Sequence, residues 1–107
     1  PEAKPRLRVL IAEADDQDRR NLRELLDLYD LHVLEAENGT EAVELTLHKR
    51  PDLILLNTDL PQLDGYATAK TIRNIKSLDD MPIIFLCSET ARAFRKRAFA
   101  AGGNSFH

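Results

Sequence analysis

Acidic and amide side chains follow two apolar runs of this sequence, and a thiol follows a third. The segment 13–16 (EADD) follows the first run, 57–59 (NTD) follows another, and 87–89 (CSE) follows the last. Carboxylates could bind Mg²⁺. Redox sensing would need an accessible thiol with a lowered pKa, and the favoured interpretation of Cys87 is a small, inert hydrophobic residue. These three segments are therefore the first candidates for a functional site.

The elements that must position these segments are short strands. Aliphatic runs at 8–13, 31–37, 53–56 and 83–86 are typical of buried strands, and residues 104–107 could begin a fifth. Helical patterns follow each run. The expected helices are one with an apolar stripe at Leu22, Leu25, Leu26 and Tyr29, one from a Thr40 cap to about Lys49, one at about 66–75, and one from Ser88 or Thr90 to Gly102.

Strands that alternate with helices predict the doubly wound α/β class, in which helices cover both faces of one parallel sheet. In such sheets ligands bind beyond the carboxyl ends of the strands. We therefore expect segments 13–16, 57–59 and 87–89 to meet at one edge. The length of 107 residues suits a single domain over 1–107.

Composition excludes several classes of protein. Hydrophobic residues are 43% and charged residues 31%, which is typical of a soluble globular domain. The net charge of −3 argues against bulk attraction to nucleic acid or to anionic lipid. No apolar run approaches the roughly 20 residues that span a bilayer, and Cys87, the single cysteine, cannot form an internal disulfide. We expect a cytoplasmic protein that contacts neither membrane nor nucleic acid.

The same strand-end segments carry a resemblance to a known family. The stretches VLIAEADD (9–16), ENGTEAVEL (37–45), PDLILLNTDLPQLDGY (51–66), MPIIFLCSE (81–89) and RAFAAGGNSF (97–106) keep register along nearly the whole chain. The sequence thereby resembles the receiver domains of two-component and phosphorelay signalling, also called response regulator domains. The resemblance implies a flavodoxin-like fold that here ends before the family's fifth helix, and a signalling module rather than an enzyme.

The resemblance also implies a chemistry. In the family, an aspartate at the end of the third strand carries an acyl phosphate. Two acids after the first strand help to hold Mg²⁺. A Thr or Ser after the fourth strand and a Lys near the fifth contact the phosphoryl group, and an aromatic residue on the fifth strand reports the change to a partner.

The phosphorylation pocket departs from that pattern at several positions. Asn57 stands at the phosphoacceptor position, and a neutral carboxamide is a poor nucleophile. Glu13 is a conservative change at the first acid, but Ala14 at the second offers no ligand atom. Cys87 replaces the Thr or Ser and is at best a weak donor. A single laboratory exchange of Asp for Asn would explain Asn57 but not Ala14 or Cys87, so we interpret the pocket as naturally degenerate.

Metal binding is correspondingly doubtful, and we expect no cofactor. The candidates for a residual Mg²⁺ site are Glu13, Asp15 and Asp59. Acids at a helix N-terminus more often act as caps, which favours that interpretation for Asp15 and Asp16. The family uses the backbone carbonyl at position 59, so the side chain of Asp59 is expected to be solvated.

The leading hypothesis is a pseudo-receiver that binds a protein partner without being phosphorylated. One alternative is a receiver that is still phosphorylated through a residual acidic pocket, with Asp59 as acceptor. Another is a small flavodoxin-like protein that binds a ligand, although no Gly-rich phosphate loop follows the first strand.

The region after the fourth strand is a possible partner surface. It contains Arg92, Arg95 and Lys96, with Phe106 at the family's aromatic position but without a hydroxyl group. A solvated helix face is the competing interpretation. Since the family's fifth helix is not present, we expect that the native chain continues past His107 or that the protein forms a homodimer.

Overall fold

The computed structural model of the chain describes residues 6–86 and the backbone of residues 105–106. In this part of the chain the strands are β1 (Arg8–Ala12), β2 (His32–Ala36), β3 (Leu53–Asn57), β4 (Ile83–Leu86) and β5 (Ser105–Phe106). The helices are α1 (Asp16–Asp27), α2 (Gly39–Lys49) and α3 (Gly65–Arg73), and a 3₁₀ turn spans Lys76–Leu78. The helix expected between Ser88 or Thr90 and Gly102 lies outside the described residues.

The five strands form one parallel sheet in the order β2-β1-β3-β4-β5. The chain therefore moves outward from β1 to β2 on one side, then crosses to β3 and moves outward on the other. This is the flavodoxin-like doubly wound arrangement, and it confirms the predicted fold class. β1 and β3 are adjacent at the point where the strand order reverses, which is where such folds bind ligands.

The core follows from the alternation of side chains along the strands. Leu10, Ile54, Leu56 and Phe85 are fully buried and pack in one cluster with Ile72 of α3. The intervening residues of β1 are buried as well, because helices cover a parallel sheet on both faces. Of the helices in the described range, none is both long and apolar enough to cross a membrane.

Two details of the helices differ from the expectation. Asn38, not Thr40, caps α2: its Oδ1 accepts from the backbone N–H of Glu41 over 2.7 Å. The Glu41 side chain in turn accepts from the backbone N–H of Glu37 over 2.8 Å, a reciprocal arrangement close to a capping box. Gly39 is therefore the first residue of α2.

The apolar stripe expected on the first helix is only half realised. Leu22 and Leu26 are partly buried, whereas Leu25 is 54% and Tyr29 68% exposed. The helix ends at Asp27 with Leu28 as its cap, so Tyr29 lies beyond it. Because each residue turns the helix by about 100°, Leu22 and Leu26 lie close together on the side of α1 that faces the sheet. Leu25 lies to one side of them and does not face the sheet.

Candidate functional site

Two strand ends bring the central residues of the site together. Ala12 of β1 pairs with Leu56 of β3, so the next residues along the two parallel strands, Glu13 and Asn57, lie side by side. Asn57 also pairs with Leu86, the last residue of β4. The expectation that segments 13–16 and 57–59 meet at one edge of the sheet is met for these residues.

The carboxamide of Asn57 is hydrogen-bonded at both of its polar atoms. Its Nδ2 donates to Oε1 of Glu13 over 2.6 Å, and its Oδ1 accepts from the backbone N–H of Asp59 over 2.7 Å. These partners determine the orientation of the amide, because a carboxylate can only accept and a backbone N–H can only donate.

Glu13 is a buried acid whose two carboxylate oxygens are both used. The residue is 6% exposed, and its Oε2 accepts from the backbone N–H of Asp15 over 3.0 Å. Its own backbone N–H donates to the carbonyl of Ala36 at the end of β2. A buried carboxylate needs such partners, since an isolated buried charge is very costly.

The other acids of the pocket do not converge on Glu13. Asp15 is the N-cap of α1, and its Oδ2 accepts from the backbone N–H of Asp18 over 2.8 Å. Asp59 is exposed, and so is Ala14, whose methyl group offers no ligand atom. Within the described residues no group of three or more His, Cys, Asp or Glu side chains could hold a metal ion. Of Glu13, Asp15 and Asp59, the candidates for a Mg²⁺ site, only Glu13 is buried, and both of its carboxylate oxygens already accept hydrogen bonds.

Several candidates lie outside the part of the chain that the structure describes. These are Cys87 and the basic residues Arg92, Arg95 and Lys96. For Phe106 only the backbone is described: it forms β5 and pairs with Phe85 of β4.

Arg19 belongs to the site but was not found from the sequence. Its side chain is 12% exposed, and its Nη1 donates to the backbone carbonyl of Glu13 over 2.9 Å. It also forms ion pairs with Asp16 (2.5 Å), Glu35 (3.3 Å) and Glu37 (3.4 Å). The pKa of the Arg19 guanidinium is raised above its ordinary value, chiefly by the hydrogen bond to Asp16.

The ion pairs of Arg19 lie in a polar cleft between α1 and β2, and the volume of this cleft is about 450 Å³. It is lined by Asp16, Arg19, Arg20, Arg23, Glu35 and Glu37. Of the three ion pairs of Arg19, only the one with Asp16 could be predicted from the sequence, because these residues are spaced i,i+3 on one helix. The contacts with β2 depend on the packing of the helix against the sheet.

The loop after Asn57 is held by two close backbone contacts. Gly65 donates its backbone N–H to the carbonyl of Thr58 over 3.0 Å, and a Cβ at Gly65 would lie 2.2 Å from the carbonyl oxygen of Asn57. A Cβ at Gly39 would lie 1.8 Å from the carbonyl oxygen of Leu63. Both positions therefore require glycine, and the loop is packed against the starts of α2 and α3.

Comparison with known proteins identifies the family. The sequence model of the response regulator receiver domain matches residues 9–106. The chain is 31% identical over 96 residues to the sensor histidine kinase CheAY of Helicobacter pylori, covering 88% of this chain and 12% of that protein. It is 30% identical over 100 residues to the response regulator MprA of Mycobacterium sp. (strain KMS), covering 94% of this chain and 43% of MprA. The chain thus spans less than half the length of these curated relatives.

Among solved structures, the chain is similar to the receiver domain of the sensor histidine kinase PA1611 from Pseudomonas aeruginosa. The TM-score is 0.88 with 26% identity, and the match covers 96% of this chain and 84% of that one. That structure holds a magnesium ion coordinated in its active site cleft. The family match, the parallel sheet and the pocket at the ends of β1 and β3 together show that this chain belongs to the response regulator receiver domain family of two-component signalling.

Proposed function

We propose that this receiver domain acts by protein–protein contact without phosphorylation at position 57 and without Mg²⁺. The observation that carries the proposal is the hydrogen bond from Nδ2 of Asn57 to the buried carboxylate of Glu13. The phosphoacceptor position thus holds a neutral donor that is already engaged. An amide nitrogen is a poor nucleophile because its lone pair is delocalised, so no ordinary acyl phosphate would form there.

The metal side of the proposal rests on the donor set. Mg²⁺ is bound by one or two carboxylates together with waters and phosphate oxygens. Within residues 6–86, Glu13 is the only carboxylate that is buried at the strand ends, and both of its oxygens accept hydrogen bonds. Asp15 caps α1 and Ala14 contributes no oxygen, so the pocket lacks the second acid of the family pattern.

The expected partner is a protein of a two-component pathway in the cytoplasm, and residues 1–107 would act as one receiver-like domain. The composition supports this setting, since a net charge of −3 does not favour nucleic acid or anionic membrane. We propose that the signal depends on the amount of the domain and on its partner, or on association with a second copy, instead of on a phosphoryl switch.

The test is to incubate the purified protein with acetyl phosphate and Mg²⁺ and to measure its intact mass. The expected result is no acid-stable or acid-labile phosphoryl adduct. An adduct on the unmodified protein would overturn the proposal, and its loss in Asp59→Asn would assign it to the alternative acceptor. The double variant Ala14→Asp/Asn57→Asp is the comparison, because it restores both missing carboxylates and should gain Mg²⁺ binding.

A second readout is the amide NMR spectrum during titration with Mg²⁺ and then with beryllofluoride. The proposal predicts that the amides of Glu13, Asn57 and Asp59 do not shift with either addition. Saturable shifts with Mg²⁺ alone would show a residual metal site, and a further shift with beryllofluoride that reaches Phe106 would show a surviving phosphoryl-type switch. Either outcome would contradict the proposal.

A further inference from the structure

We infer that the Asn57 amide joins the ends of β1 and β3 directly, in place of a metal ion such as the magnesium in the active site cleft of the PA1611 receiver domain. The inference deepens the proposed function, because it explains how the pocket holds its shape without metal. The link runs from the backbone N–H of Asp15 to Glu13, on to Asn57, and finally to the backbone N–H of Asp59. It therefore joins the loop after β1 to the loop after β3.

The direction of each bond makes this chain of contacts specific for one amide and one carboxylate. The backbone N–H of Asp15 donates to Glu13, and the backbone N–H of Asp59 donates to Asn57. The side-chain atoms that face these two N–H groups must therefore be acceptors. Between the two side chains, Glu13 supplies an acceptor and Asn57 a donor, 2.6 Å apart. With Nδ2 of Asn57 as the donor between the two side chains, each polar side-chain atom of Glu13 and Asn57 has a hydrogen-bond partner.

An aspartate at position 57 would place two carboxylate oxygens against each other at this short separation. Glu13 is 6% exposed, so little water could screen the repulsion. A cation between the two carboxylates would relieve it, and two carboxylates are the number that Mg²⁺ commonly uses. Asn57→Asp is therefore expected to make the stability of the domain depend on Mg²⁺, whereas the unmodified protein has no such dependence.

A double variant that exchanges the amide and the carboxylate should need no metal. In Glu13→Gln/Asn57→Asp the donor moves to position 13: the glutamine oxygen accepts from the backbone N–H of Asp15, and its nitrogen donates to the new carboxylate. All the hydrogen bonds are kept. Glu13→Gln alone leaves either two facing amide donors or a donor against the N–H of Asp15, and Asn57→Asp alone leaves two facing acceptors.

The experiment measures urea unfolding of five proteins in EDTA and in Mg²⁺. These are the unmodified protein, Glu13→Gln, Asn57→Asp, the double variant Glu13→Gln/Asn57→Asp, and Asn21→Asp. The last is an exposed control for the same chemical change. In EDTA each single pocket variant should lower the ratio of folded to unfolded protein by roughly tenfold or more. The double variant and Asn21→Asp should stay near the unmodified protein.

Mg²⁺ should recover the stability of Asn57→Asp only. If that variant does not fold in EDTA, recovery of its circular dichroism signal on adding Mg²⁺ gives the same information. The inference is overturned if Mg²⁺ does not stabilise Asn57→Asp, or if the double variant is no more stable than the two single variants. A phosphoryl adduct on the unmodified protein would refute the proposed function while leaving this stability pattern intact, so the two failures are distinguishable.

Discussion

Nη1 of Arg19 donates to the backbone carbonyl oxygen of Glu13 over 2.9 Å. A side chain of α1 thereby holds the backbone of the residue whose carboxylate anchors the pocket. The same guanidinium reaches Glu35 of β2, so one residue ties the helix to two neighbouring strands. The position of Glu13, which directly follows β1, therefore depends on a contact with α1 as well.

Arg19→Ala is expected to lower the free energy of unfolding by about 1–3 kcal/mol, because the Glu13 carbonyl and the carboxylates of Glu35 and Glu37 lose their donor. Arg19→Lys should lie between the two, since an ammonium group cannot reproduce the fork of contacts. Arg20→Ala, an exposed position on the same helix, should change it by no more than about 0.5 kcal/mol. Urea unfolding measures all three, and equal effects at positions 19 and 20 would contradict the assignment.

Gly65→Ala should disturb the pocket through the backbone of β3. The new Cβ would lie 2.2 Å from the carbonyl oxygen of Asn57, so the strand end or the start of α3 must move. Overpacking of this kind costs about 1–3 kcal/mol, and the side-chain amide resonances of Asn57 should shift. Lys70→Ala on the exposed side of α3 is the control. Unchanged Asn57 resonances in Gly65→Ala would refute the predicted contact.

Asp15 offers a direct test between a capping and a metal-binding role. Its side chain accepts from the backbone N–H of Asp18, so Asp15→Ala should cost about 0.5–2 kcal/mol of stability. Asp15→Asn keeps the capping oxygen and should cost much less. Both results should be the same in EDTA and in Mg²⁺. A loss in Asp15→Asn that appears only in Mg²⁺ would instead identify Asp15 as a metal ligand.

Two leucines should differ greatly in their contribution to stability, because Leu56 of β3 lies in the core and Leu25 of α1 is largely exposed. Leu56 is fully buried in the core, so Leu56→Ala should cost about 2–5 kcal/mol. Leu25 is 54% exposed, and Leu25→Ala should cost less than about 1 kcal/mol. The midpoint of thermal or urea unfolding decides the matter. Similar losses would mean that Leu25 is covered by another surface in solution.

The sequence was informative wherever a local pattern has a single physical interpretation. Apolar runs predicted the strands to within one residue at each end, because a strand buried on both faces has few polar residues. Capping was less predictable: Asn38 and Thr40 are both good caps. In the structure Asn38 is the cap, because its Oδ1 accepts from the backbone N–H of Glu41, and Gly39 at the first position of the helix lies close to the carbonyl of Leu63.

For the site, the sequence by itself determined which residue types stand at the ends of the strands, with Ala14 after β1 and Asn57 at the end of β3. The tertiary structure alone decided that Asn57 donates to Glu13 and that Arg19 holds the Glu13 carbonyl. The physical reason is that strand and helix patterns arise from neighbours along the chain. A hydrogen bond between residues 44 positions apart depends on how the strands pair and which donor faces which acceptor.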